Sequence, residues 1–108
     1  MARRGCLWLV GCLALVHAIV AMAAPATAPL RVVSDNNFPP YLFLGPNGKP
    51  EGYLVDLWAL WSRKTGVKVD LEPMQWAAAQ RALLDGKADV IDMIYRTPER
   101  TPFYDFSP

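Results

Sequence analysis

Arg100, in the string Thr97-Pro98-Glu99-Arg100, is the residue best suited to meet a charged small molecule. Thr as N-cap and Pro at the first helical position predict a helix start there. The apolar run Val90, Ile91, Met93 and Ile94 just ahead predicts a strand covered on both faces. Strand, turn and helix N-terminus in that order favour an anion, because unpaired backbone N–H groups point out of the corner. A guanidinium one turn into the helix adds a forked pair of donors for a carboxylate. A pairing of Arg100 with Glu99, Asp105 or solvent is the alternative use of the same charge. Asp92 interrupts the apolar run, and a carboxylate there needs a partner.

Asp35, Asp92 and Asp105 are the carboxylates that could do acid–base work. No histidine, cysteine or serine constellation accompanies them, and no spacing suits a metal. The reading is therefore a binder and not an enzyme, with no cofactor and no metal.

The N-terminus explains where the remaining reactive side chains sit. Arg3 and Arg4 precede an apolar run from Cys6 to Ala24 that ends in Ala21-Met22-Ala23, a small-x-small site. This is the pattern of a secretory signal peptide over residues 1–23; an uncleaved membrane anchor is the alternative. Both cysteines and the lone His17 fall inside it, so the mature chain carries no thiol or imidazole chemistry. Removing Arg3 and Arg4 from the 11 basic residues leaves 9 against 10 acidic, a net charge of −1. That balance excludes the basic patch nucleic acid requires. Expected localisation is periplasmic, or membrane-anchored if the signal is retained.

The elements that must position these residues follow in order. Residues 24–29, rich in Ala, Pro and Thr, form a linker. Leu30 to Ser34 reads as a central strand. Asp35 to Tyr41 follows as a loop stiffened by Pro39 and Pro40, at the strand's C-terminal edge where open α/β sheets bind ligands. Phe38 and Tyr41 are its candidate aromatic contacts. Leu42 to Tyr53 reads as a hairpin with Asn47-Gly48 as a two-residue turn. Leu54, Leu57, Trp58 and Trp61 fall on one helix face and predict its buried side, with Gly66 as the stop. Val67, Val69 and Leu71 alternate as a half-exposed strand; Pro73 to Trp76 follows as a loop, with Trp76 at the mouth of a helix over Ala77 to Leu84. Ala79 and Leu83 mark that helix's buried face.

The result is a βαβαβ unit with a three-stranded parallel sheet core and flanking helices. Right-handed crossovers bring the three strand C-termini to one edge. Asp35, Phe38, Trp76, Tyr95 and Arg100 collect there from three separate loops. With no closing element after Phe106-Ser107, the pattern predicts a domain that continues past Pro108.

Residues 30–108 resemble the N-terminal lobe of bacterial extracellular solute-binding proteins of family 3, the polar-amino-acid type. The matching strings are Arg31-Val32-Val33-Ser34-Asp35 with Phe38-Pro39-Pro40-Tyr41, Gly52-Tyr53-Leu54-Val55-Asp56-Leu57, Gly86-Lys87-Ala88-Asp89-Val90-Ile91, and Thr97-Pro98-Glu99-Arg100 with Asp105-Phe106-Ser107. The resemblance implies a periplasmic-binding-protein-like α/β lobe, cut before the second lobe that would close on a ligand. It implies that Phe38 and Trp76 sandwich the ligand, that Arg100 clamps an α-carboxylate, and that Asp35 meets the amino group. Asp92, Met93 and Tyr95 stand where the family lines its pocket. The implied partners are a small carboxylate-bearing solute and a membrane transporter or receptor. The string Asp89-Val90-Ile91-Asp92-Met93-Ile94-Tyr95-Arg96-Thr97-Pro98-Glu99-Arg100 looks more like sensor-associated members, input domains of a histidine kinase or a cyclic-di-GMP enzyme. A truncated product without independent function is the remaining alternative, and a few relatives of this fold are dehydratases.

Overall fold

A computed structural model describes residues 26–108. The signal peptide expected over residues 1–23, its anchor alternative and the first two linker residues lie outside the described residues.

Strand β1 (Leu30–Asp35) is the axis of the fold. It pairs in parallel with β5 (Val69–Met74) on one side and β6 (Val90–Ile91) on the other. The resulting order β5-β1-β6 needs two crossovers. Helix α1 (Tyr53–Thr65) belongs to the first and helix α2 (Trp76–Leu84) to the second. β1 is apolar because both its faces are covered. Val33 packs with Ala79 of α2, Ala88 and Ile91, whereas Val32 and Ser34 face the opposite way and are equally buried.

Between β1 and α1 the chain forms a small antiparallel sheet of β2 (Asn37–Phe38), β3 (Leu42–Leu44) and β4 (Pro50–Glu51). The loop expected from Asp35 to Tyr41 therefore contains a short strand, and Asp35 itself closes β1. The hairpin connection runs from Gly45 to Lys49, longer than a two-residue turn. Gly48 donates to the Gly45 carbonyl, and Gly45 to the Lys49 carbonyl, at 2.9 and 2.8 Å.

Four further expectations are corrected. First, β5 continues through Pro73, which was expected in a loop. Proline lacks the N–H for a central ladder, and β5 is an edge strand, where that loss is tolerated. Second, Trp76 is the first residue of α2 rather than the residue before it; Gln75 caps the helix by accepting from the Ala78 N–H at 3.1 Å.

Third, α1 buries a narrower stripe than its periodicity suggests. Leu54 is buried and Trp58 partly so, but Leu57 and Trp61 are 56% and 37% exposed. The polar residue Ser62 completes the inner stripe, donating to the Val67 carbonyl at 2.6 Å. Fourth, the segment from Thr97 forms successive turns rather than a regular helix. Arg100 and Thr101 N–H both reach the Thr97 carbonyl, and Phe103 and Tyr104 N–H reach that of Arg100.

Gly52 fixes the entry to α1. Its φ of 116° lies in the region that favours glycine, and a Cβ there would collide with the Tyr41 carbonyl. Gly66, left-handed at φ 74°, ends the helix by donating to Ser62 O at 2.9 Å.

Candidate functional site at the strand C-terminal edge

The parallel arrangement places the ends of β1, β5 and β6 side by side. Asp35 is the last residue of β1, Trp76 opens the helix after β5, and Met93 lies two residues past β6. Together with Phe38, Tyr95 and Arg100 they line one cavity of about 210 Å³. Six of the eight candidate residues thus meet, although they come from three loops far apart in sequence.

Each wall has a local cause. Asp35 Oδ1 accepts the Asn37 N–H at 3.1 Å, an Asx turn that swings the chain from β1 into β2 and presents Phe38. Asn36 N–H reaches the Met74 carbonyl at 2.9 Å, tying this turn to the end of β5. Trp76 packs on the Val33–Ala79 core, so its indole is anchored while its outer part borders the cavity. Arg100 Nη1 donates to the Tyr95 carbonyl at 3.1 Å, which holds the guanidinium over the turn that supplies Tyr95.

The turns themselves are set by Thr97, whose carbonyl also accepts the Thr101 hydroxyl at 2.8 Å. The Glu99 carboxyl is held below its ordinary value by hydrogen bonds from its own backbone N–H and from Thr97.

Arg100 has no carboxylate partner among the described residues; their only ion pair joins Arg31 and Asp89. That pair is fully formed. Arg31 Nη2 lies 2.7 Å from Asp89 Oδ1, while Nε and the backbone N–H both reach Oδ2. The Arg31 side chain and backbone N–H hold the Asp89 carboxyl at about 2. This clamp joins the start of β1 to the approach of β6, at the sheet end opposite the cavity.

Two of the eight candidates lie elsewhere. Tyr41 stacks on Phe38, with ring centroids 5.2 Å apart and planes 24° apart, and so backs the cavity wall instead of forming it. Asp92 turns into the sheet. It accepts the Ser34 hydroxyl on Oδ1 at 2.5 Å and the Trp58 indole N–H on Oδ2 at 2.8 Å. The partner this carboxylate needs is thus supplied by the first strand and the first helix. Sequence reasoning missed Trp58 in that role, because helical spacing marks it as apolar packing. The mismatch between Asp92 and its apolar run was the available signal.

Larger hollows exist, of about 520 Å³ beside the β3–β4 hairpin and about 650 Å³ beside β6. Neither combines a cation, a carboxylate and paired aromatic walls as the strand-end cavity does. Among the described residues no group of three His, Cys, Asp or Glu is placed to hold a metal ion.

Residues 30–108 match the profile of the bacterial extracellular solute-binding proteins, family 3. The chain belongs to that family. It is 32% identical over 79 residues to the L-cystine-binding protein TcyJ of Escherichia coli, covering 72% of this chain and 30% of that protein. To a probable histidine-binding protein of Neisseria gonorrhoeae it is 33% identical over 89 residues, covering 79% and 33%.

Among solved structures, an ancestral arginine-binding protein bound to arginine superposes with a TM-score of 0.67 at 40% identity, covering 76% of this chain and 37% of the other. A histidine kinase sensor domain similar to periplasmic binding proteins gives 0.66 at 31%, covering 71% and 34%. A mutant of the arginine-bound form of domain 1 from TmArgBP gives 0.59 at 34%, covering 68% and 57%. An ancestral cyclohexadienyl dehydratase also shares the lobe, at 0.59 and 28% identity over 68% and 31% of the two chains.

The chain spans about a third of the length of the curated relatives it matches. Its fold is the α/β lobe of a periplasmic binding protein. No helix among the described residues is long and apolar enough to cross a membrane.

Proposed function

We propose that the strand-end cavity is half of a binding cleft for an α-amino acid or a close amino-acid derivative, presented outside the cytoplasm. The observation that carries this is the placement of Asp35 and Arg100, opposite in charge, in one cavity walled by Phe38 and Trp76. Arg100 offers a fork of donors to the α-carboxylate. Asp35 keeps an oxygen for the α-amino group while its other oxygen holds the Asx turn. Phe38 and Trp76 cover the ligand's apolar body.

The role is capture, not catalysis. No histidine, cysteine or lysine lines the cavity, and its one carboxylate already serves the turn. A second lobe closing over the ligand would shift the population toward a closed state by the extra contacts it adds. That closed form is what a membrane transporter or receptor would recognise. A sensory role, as input to a histidine kinase or cyclic-di-GMP enzyme, uses the same cavity. Its support is the 31% identity to a kinase sensor domain.

Calorimetry with L-arginine, L-glutamine, L-histidine, L-cystine and octopine tests the reading. Binding of at least one should weaken about tenfold or more in Arg100→Ala, as expected for losing hydrogen bonds to a charged group. Arg63→Ala, at the far end of α1, should leave it unchanged. Equal affinity in the Arg100 variant would defeat the assignment.

A further inference from the structure

The two aromatic walls of the strand-end pocket are supported differently. Trp76 packs on the Val33–Ala79 core. Phe38 does not belong to that cluster, and it ends β2, a strand of two residues. The ring beside Phe38 is Tyr41, nearly parallel at 24° with centroids 5.2 Å apart. Near-parallel aromatic pairs at this separation attract beyond the area they bury. Tyr41 thus takes one face of the Phe38 ring, yet it does not line the pocket.

Tyr41 is in turn held from behind. Its carbonyl accepts the Leu54 N–H at 2.9 Å, and the Pro40 carbonyl accepts the Tyr53 N–H at 3.2 Å. Those donors open α1, whose N-cap Gly52 supplies no side-chain partner, so the loop carbonyls meet groups that a helix start leaves unpaired. The Tyr53 ring lies against Tyr41, 6.3 Å between centroids, and the Tyr41 N–H closes its own turn on the Phe38 carbonyl at 2.9 Å. A ladder Phe38–Tyr41–Tyr53 therefore runs from the pocket to the first residue of α1.

We propose that Tyr41 is a positioning residue of the binding site: it fixes the tilt of the Phe38 ring, and so the gap between Phe38 and Trp76 that a ligand fills. This rests on the amino-acid reading of the pocket given above. Trp76 is set by the core, so the gap has one fixed wall and one wall whose placement depends on Tyr41. Without the Tyr41 ring, Phe38 turns about its own side-chain bonds, and a ligand has to order it on binding. That ordering costs affinity. The Arg100 end of the site is placed separately, by the Tyr95 carbonyl.

The test is calorimetry on the intact protein with whichever of L-arginine, L-glutamine, L-histidine, L-cystine and octopine binds most tightly. Tyr41→Ala should weaken binding about three- to tenfold, the worth of one aromatic pair. Tyr41→Phe, which keeps the ring, should recover most of that loss. Tyr41→Leu keeps bulk without a flat ring and should behave as Tyr41→Ala does; it carries the comparison if the alanine variant fails to fold. In a Phe38→Ala background, adding Tyr41→Ala should change nothing further, because a residue that acts through another loses its effect once that other is gone. Equal losses in both backgrounds, no recovery in Tyr41→Phe, or no loss from Tyr41→Ala where Phe38→Ala has one, overturns the positioning role and leaves the pocket reading standing. Binding of none of the five, or binding indifferent to both Arg100→Ala and Phe38→Ala, overturns both.

Discussion

The indole N–H of Trp58 donates to Asp92 Oδ2 at 2.8 Å, joining the middle of α1 to the end of β6 across β1. The other carboxylate oxygen takes the Ser34 hydroxyl, so three elements distant in sequence share one polar junction inside an otherwise apolar layer. Trp58→Phe keeps most of the ring volume and removes the donor. Hydrogen bonds to charged groups contribute roughly 1.5–3 kcal/mol, and a partly buried acceptor left short of one partner loses on that scale. Chemical denaturation should show a drop of about 2 kcal/mol. Neither residue lines the strand-end pocket, so amino-acid affinity should stay within about twofold of wild type.

The Arg31–Asp89 clamp makes a pH-dependent contribution. Asp89 is held at about 2 against an ordinary 3.8, so the folded state binds its proton less readily than the unfolded chain. The contribution is fully present above the unfolded value and is lost as pH falls through the folded one. Stability of wild type minus that of Asp89→Asn, measured along a pH series, should be constant above about pH 5. It should shrink between about pH 4 and pH 2. A difference that grows on acidification would contradict the clamp.

Gly52 should tolerate no side chain. Its φ of 116° is closed to L-residues, and an added Cβ meets the Tyr41 carbonyl. Strain of this kind costs of order 1–3 kcal/mol for the dihedral alone, before the collision is counted. Gly52→Ala should therefore lower stability by about 2 kcal/mol or more. Gly48→Ala, at a φ of 71° with open space around it, should lose less, as read from the two denaturation midpoints.

Much of this architecture was legible because its signals are local. The apolar strand at Leu30–Ser34, the helix stop at Gly66 and the Ala79–Leu83 face each follow from a short window. The convergence of Asp35, Trp76 and Arg100 followed from a single topological rule, that right-handed crossovers align parallel strand ends. What stayed hidden depends on partners in space. Leu57 and Trp61 obey the helical period yet stay exposed, since α1 packs on β3, β4 and β5 and those strands leave part of that face uncovered among the described residues. Pro73 reads as a breaker unless β5 is known to be an edge. Asp92 and Met93 adjoin in sequence and resemble pocket residues equally, but one turns into the sheet toward Trp58 and the other lines the pocket. No window distinguishes them, since the difference lies in a left-handed backbone at Met93 and in donors placed 34 and 58 positions earlier than Asp92.

The central claim is that the guanidinium of Arg100 and the carboxylate of Asp35 grip the two charged ends of one amino acid. A crystal structure of the intact protein with whichever amino acid binds it by calorimetry tests this most directly. The account predicts the ligand's α-carboxylate within hydrogen-bond distance of Arg100, its ammonium beside Asp35, and its body between Phe38 and Trp76. A ligand seated in the hollow by the β3–β4 hairpin, or in the strand-end pocket with its carboxylate turned away from Arg100, would contradict it.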